Sequence, residues 1–282
     1  SRLSGVSEQI PFVEYLHLGD RPHLVANECT ACGARYFDRR NACASCFADH
    51  FRSVDIATDG TRIAVTGDAQ PSVDLGDGPL SSGGYVGLWD PVLWDALASL
   101  PLGAGSAAGT GNSVAFDADG SIYALVALGG PGATDLACNR MPLMTASDNH
   151  VALMKLGGAA KCDFARLLPT VLDQDPIIAI RGGSQPVMAG YFQGAGDLDG
   201  HPFQSMGEND VMIAFFDAVG TATAVITSSG TGDEQIGAIG VGPTGLVYVA
   251  GTFTGEIRLG EAPRQLGALV GRAAPGQRVG VG

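Results

Sequence analysis

Glycine-marked hairpins recur along most of this 282-residue chain, and that regularity limits the folds open to it more than any other feature. Four segments align: FRSVDIATDGTRIAVTG (51–67), GNSVAFDADGSIYALVA (111–127), DPIIAIRGGSQPVMAGY (175–191) and IGAIGVGPTGLVYVAGT (236–252). Each reads as a strand, a turn and a second apolar strand, with Gly60, Gly120, Gly183 and Gly245 in the turns at intervals of 60, 63 and 62 residues. Asp59-Gly60 and Asp119-Gly120 are strong hairpin turns in themselves, because such turns need residues that accept positive φ. Self-similarity at a fixed spacing of this length is the mark of stacked supersecondary units.

The register persists beyond each hairpin. Asp74-Leu75-Gly76 with Pro79, Asp135-Leu136 with Pro142, Asp197-Leu198-Asp199 with Pro202, and Arg258-Leu259-Gly260 with Pro263 occupy corresponding places. A third strand follows in YVGLWD (85–90), HVALMKL (150–156), VMIAFFD (211–217) and ALVGRAA (268–274), then a weaker fourth in LWDALASL, CDFARLL, TATAVIT and RVGVG. Four strands in each of four repeats predict an all-β fold, a four-bladed β-propeller closing near the C-terminus with about 60 residues per blade. The repeats are bounded at 51–110, 111–174, 175–235 and 236–282. Composition agrees, since 42 glycines and a charged fraction of 16 % favour short strands joined by tight turns. Residues 51–282 resemble bacterial β-propeller repeats of the form VAVDASGNVYVAGSFTGTVDLG…DVFVAKFDASG, best in GLVYVAGTFTGEIRLG and NDVMIAFFDAVG. This resemblance implies an exported protein and leaves function open, because propellers host many unrelated activities.

Residues 1–50 differ in kind. CTACGARYFDRRNACASC holds Cys29, Cys32, Cys43 and Cys46 as two CxxC pairs ten residues apart. Two residues between thiolates let both sulfurs of a pair reach one ion from a tight turn, and two such turns complete a tetrahedral S₄ shell for a structural Zn²⁺. A closed shell has no open position for water, so it stabilises a fold and does not catalyse. Two disulfides could use the same cysteines in an oxidising compartment. Tyr36 and Phe37 could cover the site, and Arg35, Arg39 and Arg40 could offset its negative charge. His17 and His23, beside the first strand, could replace a cysteine ligand, although four cysteines already suffice.

Residues 8–58, with PFVEYLHLG, HLVANEC, the CTAC and CASC knuckles and the aromatic and arginine stretch between them, resemble the rubredoxin-like zinc ribbon that precedes an OB-fold in a family of acyl-CoA-associated accessory proteins. The resemblance implies a cytoplasmic setting and a thiolase-like enzyme as partner. No OB-fold pattern continues after FRSVDIATDGTRIAV, a segment that fits both the strand after a ribbon and the first hairpin of the repeats. Zinc would supply the stabilisation that 50 residues with few apolar side chains lack. Loss of metal is therefore expected to unfold the N-terminal segment alone.

Elsewhere reactive patterns are few. Asp197, Asp199 and His201 in GAGDLDGHPF could hold a cation, yet Asp197 and Pro202 fall at repeat positions and read as a turn. Asp233 and Glu234 in GTGDEQ read as a solvated turn. Cys138 and Cys162 could form a disulfide within the second repeat if exported, and the zinc-ribbon context favours free thiols. Trp89 and Trp94 read as strand and core residues, with an exposed sugar- or peptide-binding pair as the alternative. There is no GxSxG elbow and no pair of carboxylates in a catalytic context. A net charge of −13 repels phosphate backbones, so no nucleic-acid partner is expected. No run of 18 apolar residues and no basic stretch leading into an apolar one is present, so neither a membrane span nor a signal peptide is expected in the chain as given. Two function classes follow: a non-catalytic protein-interaction scaffold with a structural zinc ribbon, or an accessory subunit of a thiolase-like acyl-CoA enzyme complex.

Overall fold

A computed structural model of the chain describes residues 16–17, 23–24, 26–29, 35–36, 51–69, 74–80, 83–93, 95–102, 104–105, 109–129, 132–135, 143–145, 150–157, 161–169, 175–254, 258–259 and 270–271. Every regular element among them is a strand. In each of the first three repeats four strands follow one another as an antiparallel meander. The first sheet runs Phe51–Thr58, Ile63–Ala69, Gly83–Trp89 and Ala96–Leu102. The second runs Gly109–Phe116, Ile122–Leu128, His150–Leu156 and Cys162–Leu167. The third runs Ile177–Arg181, Gln185–Phe192, Asp210–Phe216 and Ala222–Ser229, with Arg258–Leu259 added at its edge. The fourth holds Glu234–Val241 and Val247–Phe253.

The four turn glycines share one conformation, φ 89° at Gly60, 74° at Gly120, 89° at Gly183 and 81° at Gly245, which side chains disfavour. The corresponding Asp and Pro positions also recur in three dimensions. Asp74 bridges Pro79 in the first repeat, and Asp197 pairs with Pro202 in the hairpin Ala195–Leu198 and His201–Gln204 of the third.

Successive sheets face one another across three apolar layers. Ile122, Ala124, Val126 and Leu128 point toward Ala64, Val86 and Leu88 of the first sheet. Tyr123 and Leu125, alternating with them, point toward Met188, Phe192, Met212 and Phe216 of the third. The run IYALVAL is thus apolar throughout because both of its faces are covered. Val187, Ala189, Val211 and Ile213 meet Val247 and Val249 of the fourth sheet. On the outer face of the first sheet, Val65, Ala69 and Tyr85 are covered by Leu75 and Leu80.

Polar staples tie the turns of neighbouring repeats. Each turn-glycine carbonyl after the first accepts a hydrogen bond from the preceding repeat: Gly120 from Arg62 Nη2 at 2.6 Å, Gly183 from the Ala118 amide at 2.6 Å, and Gly245 from Arg181 Nε at 3.1 Å.

Two expectations need correction. Closure of a four-bladed ring is not seen among the described residues: neighbour relations run from first sheet to second, second to third and third to fourth. In the fourth repeat Val270–Gly271 pairs with Ala250 and Gly251, but in parallel, whereas a meander's third strand would be antiparallel. Among the described residues the fourth sheet is covered on one face, by the third sheet, and Tyr248 on the other is 45 % exposed. The expected strand RVGVG lies outside the described residues.

Candidate functional site

The cysteine centre begins on the strand Ala26–Cys29, which is antiparallel to Arg35–Tyr36 on one side and to Phe51–Thr58 on the other. Its pairing with Phe51–Thr58 stops at Val54, and from Asp55 onward the same strand pairs with Ile63–Ala69. One eight-residue strand therefore serves the cysteine-bearing segment with its first half and the first repeat with its second. The join is a continuous six-stranded sheet in which the pairing changes over between Val54 and Asp55. Cys29 ends the first strand opposite Phe51, fully buried, and is a thiol and not half of a disulfide. Such a donor fits a thiolate metal shell. Cys32, Cys43 and Cys46 lie outside the described residues. His17 and His23 are cross-strand partners in the short ladder of Leu16–His17 with His23–Leu24.

Cys162 is disulfide-bonded, against the expectation of free thiols, and Cys138 lies outside the described residues. Asp197, Asp199 and His201 form a turn, as their repeat positions imply. Asp197 Oδ1 accepts the Gly200 amide at 2.7 Å. Asp199, at φ 55°, accepts Arg166 Nη2 and the Ala222 amide, each at 2.7 Å. The Arg166 guanidinium holds the Asp199 carboxyl below its usual range. Among the described residues no three His, Cys, Asp or Glu side chains come together as a metal group. Trp89 packs beside Leu75 and donates Nε1–H to its carbonyl at 3.2 Å, while Trp94 lies outside the described residues.

A second cluster was not legible as such. Lys155 Nζ stands 3.2 Å from Asp117 Oδ2 and lies over the Tyr123 ring, whose hydroxyl donates to the Ala218 carbonyl of the third repeat. Burial raises the Tyr123 hydroxyl above its ordinary range. For Lys155 burial acts downward, and Tyr123 and Asp117 outweigh it, so the ammonium is held above its ordinary range. Through the Tyr123 hydroxyl the group ties the second sheet to the third repeat.

Glu234 departs most from the sequence reading. It is fully buried at the head of Glu234–Val241, where a solvated turn was expected, and shares that enclosure with Asp210 and Ser228. Burial, and then the nearby Asp210 carboxyl, push Glu234 up to about 7. The signal available in the sequence was positional: Asp210 and Glu234 each open a strand of the repeat.

The cysteine segment is also where this chain resembles known proteins. Residues 17–52 match the family model of the ChsH2, rubredoxin-like zinc ribbon domain. The zinc ribbon match ends inside the shared strand, at its second residue, Arg52. A comparison of the chain with curated proteins gives no match. No helix among the described residues is long and apolar enough to cross a membrane, which says nothing of spanning strands.

Proposed function

We propose that the protein is a non-catalytic interaction scaffold: successive propeller-like blades carrying a zinc ribbon as a docking knob. Cys29, Cys32, Cys43 and Cys46 would hold Zn²⁺ in a closed thiolate shell, whose chemistry is the stabilisation of a small fold. The observation that carries the reading is the shared strand Phe51–Thr58, since a knob continuous with the first sheet presents its surface in a fixed orientation.

The zinc ribbon match favours a second reading, an accessory subunit of a thiolase-like acyl-CoA enzyme complex. Co-purification of the full chain with a thiolase-like enzyme, or saturable binding of an acyl-CoA, supports the accessory reading. A chain that does neither contradicts it. The scaffold reading requires that Cys29→Ser, which breaks the shell, abolish capture of a protein partner without unfolding the second and third sheets.

For compartment, the disulfide at Cys162 favours an oxidising setting over the cytoplasm that the ribbon resemblance implies. Zinc content and thiol titration of the chain denatured without reductant decide the cysteine assignment. This reading predicts one zinc and four thiols, from six cysteines less one disulfide.

A further inference from the structure

At one end of the third and fourth sheets, beside the connections 205–209 and 230–233, two carboxyl side chains are enclosed together. Asp210 and Glu234 are both 0 % exposed. The Ser228 hydroxyl lies between them, 3.2 Å from Asp210 Oδ1 and 3.5 Å from Glu234 Oε2, and accepts the Val211 amide at 2.7 Å. Asp210 Oδ2 accepts the Met206 amide. Glu234 Oε1 is buried with no donor against it. One hydroxyl proton cannot serve two carboxylates, so the enclosure is short of a donor, and a carboxyl proton shared between the acids supplies it.

The surrounding charges leave that need in place. Asp233 adds negative charge, although its oxygens accept Asn209 Nδ2 at 2.7 Å and Gln235 Nε2 at 3.1 Å. Arg181, on the strand facing Glu234–Val241, sits at the opposite end with its guanidinium on the Gly245 carbonyl. Tyr248, on the neighbouring strand, is exposed. Glu208 and Asp175, near the same end, are exposed as well.

We propose that a single proton shared by Asp210 and Glu234 latches the fourth sheet to the third, and that its loss in mildly alkaline conditions releases this end of the interface. The two connections would move together. The Glu208 amide donates to Gly232 O at 3.2 Å, the Glu234 amide to Asn209 O at 2.9 Å, and the Thr254 amide to Asp233 O at 3.0 Å.

The upward shift of Glu234 from 4.5 to about 7 means the folded state holds a proton that the unfolded state gives up earlier. Stability from the latch is complete below pH 4.5, declines as pH rises, and is lost above about 7.

The test is amide-exchange protection of the full chain between pH 5 and 8.5, for wild type, Glu234→Gln and Asp210→Asn. Wild type should lose protection at 205–209 and 230–236 by on the order of tenfold or more across that range, relative to the second sheet. Either variant places a permanent amide donor between the two side chains and should flatten the profile. Asp210→Asn serves where Glu234→Gln does not fold. A wild-type profile already flat, or one that a folded variant reproduces unchanged, overturns the latch.

Discussion

Arg62 joins two repeats with one side chain. Its guanidinium reaches Asp59 Oδ2 at 2.7 Å and Gly120 O at 2.6 Å, and lies 5.0 Å from the centre of the Phe116 ring. Arg62→Ala should cost about 1–3 kcal/mol, read by denaturant unfolding, because a charge-assisted bond is lost at a half-buried site. Burial acts upward on the Asp59 carboxyl, and hydrogen bonds from Thr61 and Arg62 outweigh it and hold the group at about 2. Its contribution is present above the ordinary value of 3.8 and is lost as pH falls toward 2, so the cost of Arg62→Ala should shrink in acid. The Asp59-Gly60 turn was legible in sequence because its chemistry is local. The staple was not, since its acceptor stands 58 residues away. Glu234 was misread for the same reason: the neighbours that decide its charge come from another strand. Gly111 is a further case, since a Cβ there would stand 2.9 Å from the Gly67 nitrogen and 3.0 Å from the Tyr85 carbonyl oxygen. Gly111→Ala should destabilise the chain by about 1–3 kcal/mol through overpacking between the first two sheets, measured in the same unfolding assay.

At the scale of elements, the first three repeats were readable because their runs alternate or saturate with apolar residues as buried strands do. HVALMKL and IYALVAL occupy neighbouring central strands of the second sheet, as their composition requires. The fourth repeat was read too far. ALVGRAA has the apolar content of a strand, but alternation says nothing of direction, and the observed pair is parallel. The double fit of FRSVDIATDGTRIAV was a true feature of the sequence, because its first strand completes two ladders. Metal loss should therefore reach past residue 50. Cys29→Ser should fray Phe51–Val54 and weaken its continuation to Thr58, seen as a lower first transition in thermal unfolding, with the second and third sheets melting as before.

At the scale of the whole molecule, the proposed zinc ribbon joins the stacked sheets through one strand, and its metal would have a structural role. Repeat architectures are quasi-one-dimensional, so a disturbance at one end decays with distance from it. This makes amide exchange of the zinc-loaded chain, with and without a strong chelator, the most direct test. Protection should fall at 26–29 and 51–54, fall less at 55–69, and hold at 150–156 and 210–216. Unchanged protection at 26–29 and 51–54 after zinc removal would contradict the account, as would an equal loss in all four sheets.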